Sequence, residues 1–345
     1  MNLPWSRPAP RPLHLALQGG GAHGAFTWGV LDALLEDGRW RPAALSGTSA
    51  GAMNAVVLAH GLTQGGPEGA RAALRRFWLA LADSLPFDVL VADAEGDGFR
   101  PLPGWQLALW WTQHLTPAQL NPLDRNPLRD ILAEQIDFER LRTQRALRLF
   151  IAATEVQTGR LRLFREHEIA LPHLLASACL PQLHHAVKVE GETFWDGGYA
   201  ANPALFPLLF EADAADVMLV TLAPSRHTEA PRTAADIRQR TLELAFNATF
   251  LREVQWLGRL QNEALQQAWW RRGALERRLA RTRFHLIEAD ERLHGLGLHT
   301  KVAAHRGLFE HLHALGRDHA HRWIDLHGAR IGIARTVDLQ AHFGP

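Results

Sequence analysis

The chain reads as an α/β protein built on a mainly parallel sheet. Three observations predict it: short apolar runs alternate with stretches of helical spacing, glycine-rich turns join one to the other, and two hairpins interrupt the alternation without replacing it. Its 345 residues suffice for a large core. Lys and Arg total 37 against 36 Asp and Glu, a formal net charge of +1, so no charge excess points to nucleic acid or another polyanion. The single cysteine, Cys179, excludes an internal disulfide framework and a cysteine-based zinc site, and it suits a reducing compartment. Residues 1–12 read as an N-terminal extension with four prolines and no signal-peptide core, and no run approaches the roughly 18 apolar residues of a spanning helix. A cytoplasmic location is expected, with contact to a membrane surface from one face left open.

The apolar run Leu13–Leu17 is the first strand. Gln18-Gly19-Gly20-Gly21-Ala22-His23-Gly24 breaks it, and Val30, Leu31, Leu34 and Leu35 give Trp28–Asp37 helical spacing. Gly19, Gly21 and Gly24 also satisfy Gly-x-Gly-x-x-Gly, but a dinucleotide site needs an acidic residue at the end of the next strand. Here the next strand, Ala43–Ser46, runs straight into Gly47-Thr48-Ser49-Ala50-Gly51. Arg41-Pro42-Ala43-Ala44 is poor strand sequence before that turn. A helix over 50–60, a glycine-containing connection over 61–66 and an amphipathic helix over 67–84 follow. Residues 86–127 are the least regular part, with an acidic segment at 93–98 and an aromatic, proline-punctuated stretch, 99–111, that carries Trp105, Trp110 and Trp111. That stretch reads either as a lid or acyl-chain-binding insert or as a short helix packed on the core.

Helices are expected at 127–136 and 138–141, and a strand at 146–154 that turns at Gln157-Thr158-Gly159-Arg160 into a returning strand, 161–165. A small-residue helix over 169–179 stops at Pro181. A second hairpin, 186–195, delivers Asp196-Gly197-Gly198-Tyr199, and Asn202-Pro203 ends that loop. Residues 215–222 form a buried strand, 234–279 one bent helix or two, 283–289 a last strand and 301–326 a closing helix. Phe246, Phe250, Leu257 and Leu260 mark a core or dimer face on the long helical stretch. The arginines at 271, 272, 277, 278, 281 and 283 form either a solvated face or a contact for an anionic membrane surface. His311-x-His313 and His319-x-His321 do not share a helix face, so no metal site is expected there.

Gly-x-Ser-x-Gly at a strand-to-helix junction is the pattern of a nucleophile elbow, with Gly47 and Gly51 giving room on both sides of Ser49. Orphan N–H groups at the start of the following helix favour developing negative charge. Gly19, Gly20 and Gly21 can turn their amides toward one point, as an oxyanion hole requires. The proton acceptor is harder to identify. With 19 histidines in the chain, histidine identity carries little information, and nothing marks His184 or His185 as a base. Asp196 sits before Gly197-Gly198, in a loop able to bring a carboxylate close to another backbone. At an ordinary pKa of about 3.9 it is a weak base, so burial or a very short hydrogen bond to Ser49 is needed.

In order and spacing these three stretches resemble the patatin-like phospholipase family: a glycine-rich loop after the first strand, Gly-Thr-Ser-Ala-Gly soon after, and Asp-Gly-Gly well downstream before Asn-Pro. The resemblance runs over about 13–222, and Ser177-Ala178-Cys179-Leu180-Pro181 is similar to the family's small-residue helix ending in proline. It implies a three-layer α/β/α fold with hairpin additions and a helical cap. Residues 13–222 would form the catalytic core, including a Trp-rich insert or lid over 67–127, with a mainly helical part, 223–345, packed on it.

By the same resemblance Ser49 is the nucleophile and Asp196 its only partner, a dyad without catalytic histidine. Gly19, Gly20 and Gly21, joined by Ala50, form the oxyanion hole, and Gly197 and Gly198 follow the base. Neither metal nor cofactor is implied. Plant members begin the loop with aspartate and place Arg or Lys where this chain has Gln18 and His23, which weakens any guidance of an anionic head group from position 23. The expected function is a serine lipid acyl hydrolase acting on phospholipid or a related ester, with transient membrane contact and an undetermined oligomeric state. A neutral-lipid or storage-polyester esterase on the same fold, or a lipid-binding protein without turnover, stays open.

Overall fold

A computed structural model of the chain describes residues 9–84, 89–92, 98–111, 114–225, 230–290, 293 and 295–344. The acidic segment lies, but for Gly98, outside them. The main sheet holds β1 (Arg11–Leu17), β2 (Trp40–Thr48), β5 (Arg148–Glu155), β6 (Leu161–Arg165), β7 (Val187–Val189), β8 (Glu192–Asp196), β9 (Asp216–Thr221) and β10 (Arg283–Glu288). β10, β9, β1, β2 and β5 run parallel in that order, and β6, β8 and β7 add antiparallel pairings at the β5 side. β3 (Leu90–Ala92) and β4 (Phe99–Pro101) pair separately.

Strand alternation sorts the core into two faces. Leu13, Leu15 and Leu17 of β1, Met218 and Val220 of β9, and Leu149 and Ile151 of β5 pack on one side. They meet α1 (Gly24–Asp37), α2 (Ala50–Ala82) and the Arg306–His327 helix. Ala16, Val217, Leu219, Phe150 and Phe284 face the other side, against α8 (Phe206–Phe210), α9 (Ala234–Gln266), α10 (Ala274–Arg281) and the Leu339–Phe343 helix. The result is a three-layer α/β/α arrangement. The long helical stretch is two helices, and Phe250 and Leu257 of α9 lie in the core.

Two local sequences explain departures from regularity. Gly65 and Gly66 leave helical angles inside α2 and Pro67 opens its second half, which folds back so that Gly61 abuts Gly69 and Ala70. The Arg41–Ala44 stretch, poor strand sequence by composition, lies inside β2. Leu13 pairs with Pro42 but His14 with Ala44, leaving Ala43 as an extra residue. That bulge accommodates a proline that a regular central strand rejects.

Residues 102–111 hold α3 (Pro103–Trp111), which is not a buried helix. Trp105 packs on the core, while Leu107, Trp110 and Trp111 are 56%, 49% and 43% exposed. Among the described residues, no helix is long and apolar enough to cross a membrane.

Candidate active site

Ser49 sits between the last residue of β2 and the first of α2, with φ 53° and ψ −122°. That backbone is strained for a residue with a side chain, and such strain persists only where the surroundings over-determine it. Here they do. The Ser49 N–H donates to Ser177 Oγ at 3.0 Å, Thr48 Oγ1 donates to the Ala201 carbonyl at 2.8 Å, and Ser46 Oγ donates to the Ala204 carbonyl at 2.6 Å. Gly51 passes against the Leu17 carbonyl, where a Cβ has no room. The elbow is therefore tied to the end of α7 (Leu171–Ser177) and to the loop after Asp196.

Pairing along β5 brings Asp196 to the same place. β2 pairs with β5 residues 148–152, β6 with 150–154 and β8 with 153–155. The overlaps put β6 on one edge of β5 and place β2 and β8 end to end on the other. Thr48 is paired with Ala152 and Asp196 with Ala153, so the carboxylate arrives beside the strand end that presents Ser49.

Asp196 is wholly buried. Its N–H donates to the Cys179 carbonyl at 2.8 Å, and its own carbonyl accepts from Thr154 Oγ1 at 2.8 Å. Oδ1 accepts the Gly198 N–H at 2.8 Å, while Oδ2 is buried without a closed hydrogen bond. Burial pushes the carboxyl up to about 7, opposed by the Gly198 amide and the nearby Ser49 hydroxyl. A catalytic hydrogen bond that is open at rest and closes with substrate is common. Among the described residues, no histidine acts on Asp196. His185 Nε2 instead lies 3.2 Å from the Asn121 carbonyl.

In the glycine loop, the Gly19 N–H already donates to Asn202 Oδ1 at 2.7 Å. Gln18 fixes the loop's root: Oε1 accepts from the Leu222 and Ala223 amides at 2.6 and 2.9 Å, and Nε2 donates to Asn247 Oδ1 at 2.9 Å. Gly21, at φ 60°, lies against the Lys301 carbonyl, a contact that excludes any side chain. His23 is buried with Nε2 2.8 Å from Thr300 Oγ1, so it does not face a substrate.

The positioning contacts of Ser177, Asn202 and Gln18 join residues far apart in the chain. Gln18 beside Gly19 and Asn202 beside Pro203 carry a local signal, a polar side chain next to a turn residue, whereas Ser177, between two alanines, carries none. Neighbouring histidines of the Arg306–His327 helix go to different partners: His313 to Asp32, His319 to Asp290, and His311 against Phe99. Among the described residues, no group of three His, Cys, Asp or Glu is placed to hold a metal ion.

A family model described as patatin-like phospholipase matches residues 15–209. No curated protein matches the sequence. Among solved structures the chain is similar to VipD from Legionella pneumophila, at 14% identity and TM-score 0.39, covering 93% of this chain and 68% of that one. It is also similar to full-length ExoU in complex with full-length SpcU from the type III secretion system of Pseudomonas aeruginosa, at 17% identity and TM-score 0.29, covering 71% of this chain and 51% of that one. A structure of the type III effector protein ExoU matches at 15% identity and TM-score 0.30, over 90% of this chain and 54% of that one. The chain thus spans about half the length of the ExoU chains.

Proposed function

The chain belongs to the patatin-like phospholipase family, a family of lipid acyl hydrolases, and from that premise we propose a Ser49–Asp196 dyad acting on carboxylic esters of phospholipids. The observation that carries it is Asp196: a wholly buried carboxyl, raised to about 7, with its second oxygen open beside Ser49. A base with a pKa near the working pH combines the right protonation state with useful basicity.

Asp196 takes the Ser49 proton as Oγ attacks the ester carbonyl. The amides of Gly20, Gly21 and Ala50 receive the oxyanion, and Gly19, its N–H committed to Asn202, sets the loop's shape. Collapse of the tetrahedral intermediate expels the alcohol, which takes the proton from Asp196 and leaves an acyl-Ser49. Water then gives a proton to Asp196 and attacks the acyl carbon. A second collapse releases the fatty acid and returns the proton to Ser49. Each step balances on these two side chains, so the scheme calls for no cofactor.

Membrane contact belongs to α3. Its sequence, PGWQLALWW, carries no charge, and Trp and Leu at such a surface suit the boundary between headgroups and acyl chains. α3 follows β4, whose Phe99 carbonyl lies 2.9 Å from His299 Nε2, two residues before the Lys301 that abuts Gly21. These contacts support reading α3 as a lid or docking element that meets lipid near the glycine loop.

A fluorophosphonate probe and a fatty-acid-release assay on phospholipid vesicles test the dyad. The wild type labels once at Ser49 and releases fatty acid, whereas Ser49→Ala does neither and Asp196→Asn loses at least about 10³-fold in kcat/KM. Retention of most activity by Asp196→Asn sinks the assignment and returns the search to a histidine.

A further inference from the structure

The glycine loop carries no cation facing outward, because His23 is buried against Thr300. A lysine from elsewhere in the chain touches the loop through its backbone. Lys301 ends the Gly297–Lys301 helix, and its carbonyl is the group that abuts Gly21. Its Nζ lies 3.6 Å from Glu243 Oε1, farther than a closed hydrogen bond. Burial lowers the Lys301 pKa and Glu243 opposes that shift.

Glu243 does not depend on Lys301 alone. Gln239 Nε2 donates to its Oε1 at 3.2 Å, and an Arg240 nitrogen lies 3.6 Å from its Oε2. The carboxylate borders a cavity of about 290 Å³ that Arg232, Arg240, Asp236 and Gln239 also line. Asp236 is engaged with Thr233 in capping α9, which leaves Glu243 as the carboxylate opposite Lys301 and Arg240. One turn further along α9, Phe246 packs on Gly198 and Tyr199, and Asn247 holds Gln18. At about 1.5 Å of rise per residue, the cavity lies a turn or two of helix from the dyad loop.

We propose that Lys301, Glu243, Arg240 and this cavity form a head-group subsite for the phosphate ester of a glycerophospholipid. The inference deepens the hydrolase reading and rests on it for the identity of the substrate. Glu243 acts as a placeholder. When the phosphate enters, Lys301 turns to it in a charge-assisted contact, while Gln239 and Arg240 keep Glu243 satisfied. A phosphate and an ester carbonyl a few bonds apart on one glycerol then match a cation and an oxyanion loop held together by the Lys301–Gly21 contact. Lys301 and Glu243 are specificity residues here, touching the part of the substrate that does not react.

The test has a binding arm and a turnover arm. In Ser49→Ala protein, calorimetry with glycerol 3-phosphate reports binding with turnover removed. Adding Lys301→Met weakens Kd at least tenfold, Lys301→Arg restores most of it, and Glu243→Gln, which removes the competing anion and preserves shape, tightens Kd several-fold. Absence of binding in the parent protein, or Kd values unmoved by both Lys301→Met and Glu243→Gln, overturns the subsite. Inorganic phosphate binding as tightly as glycerol 3-phosphate overturns the head-group assignment in favour of a free-anion site. In active protein, the kcat/KM ratio for phosphatidylglycerol over diacylglycerol falls about tenfold in Lys301→Met, through KM. An unchanged ratio overturns the proposal. Hydrolysis of neither lipid by wild type, with the binding arm intact, sinks the hydrolase reading and leaves the subsite standing.

Discussion

Asp196 and Asp216 are both buried aspartates at strand ends, and their surroundings drive them in opposite directions. Asp216 is the first residue of β9, at the end of the parallel strands opposite Ser49. Arg283 meets it with two nitrogens at 2.8 and 2.7 Å, His285 Nε2 lies 3.1 Å away, and the Gly332 amide donates at 2.9 Å. Burial alone would raise its pKa, but those partners hold the carboxyl far below the usual range. Asp196 has an amide and a hydroxyl for company and, among the described residues, no cation, so burial prevails and its pKa rises to about 7. A fully paired carboxylate ties elements together, whereas an underpaired one is poised to exchange a proton. With the dyad proposed above, the two ends of the sheet divide stability from chemistry.

Exchanging each carboxylate for its amide separates the two roles most sharply. Asp216→Asn leaves Arg283 facing a neutral group and should cost about 3 kcal/mol in chemical denaturation, with activity per folded molecule near wild type. Asp196→Asn should do the reverse, abolishing activity without loss of stability. An Asp216→Asn protein that is stable but inactive would break the division.

The next largest effect is pH-dependent, and its signs differ between the two groups. The folded-state pKa of Asp196 lies above its ordinary value near 3.8, so its contribution to stability is full below that value and is lost as pH rises through about 7. Wild type should therefore be less stable than Asp196→Asn by on the order of 4 kcal/mol above pH 7, with the gap closing toward pH 4. Asp216, held low, contributes above pH 4 and loses that contribution in acid. Over the same range kcat/KM should climb tenfold per pH unit and level off near pH 7, as the base form of Asp196 fills. Denaturation series and pH–rate profiles measured on the same preparations check both, and a profile flat from pH 5 to 8 would remove Asp196 as the base.

The smallest effect expected is at Ser177, whose hydroxyl accepts the Ser49 amide. Ser177→Ala leaves that buried N–H without an acceptor, at about 1 kcal/mol of stability. It should also lower kcat/KM about tenfold by loosening the elbow, read against unchanged fluorophosphonate stoichiometry.

Tryptophan gives a second contrast of the same kind. Trp269 and Trp270 are 74% and 68% exposed beside the arginines of α10, which looks like a membrane surface in sequence. Yet α10 leads into Arg283, paired with Asp216 at the first residues of β10 and β9, so this patch lies at the end of the sheet opposite the dyad. Clustered residue types could suggest two interfacial surfaces. Strand direction separates them, because it puts the arginine-flanked pair at the end of the sheet opposite Ser49.

Much of the molecule was determined by local sequence. Apolar runs broken by glycine marked β1, β9 and the two hairpins, Gly65-Gly66-Pro67 marked the break in α2, and Gly-Thr-Ser-Ala-Gly marked the elbow. Each is a short-range signal, because backbone angles and burial periodicity are properties of a few consecutive residues. Tertiary structure decided what those signals could not carry. It placed Pro42 in a bulge, committed the Gly19 amide to Asn202, buried His23, and set Lys301 against the glycine loop across some 280 residues of chain. Above all it set the surroundings of Asp196, which is wholly buried. The sequence contains Asp196 as an ordinary carboxylate, and only the exclusion of water around it in the fold pushes its pKa up to about 7.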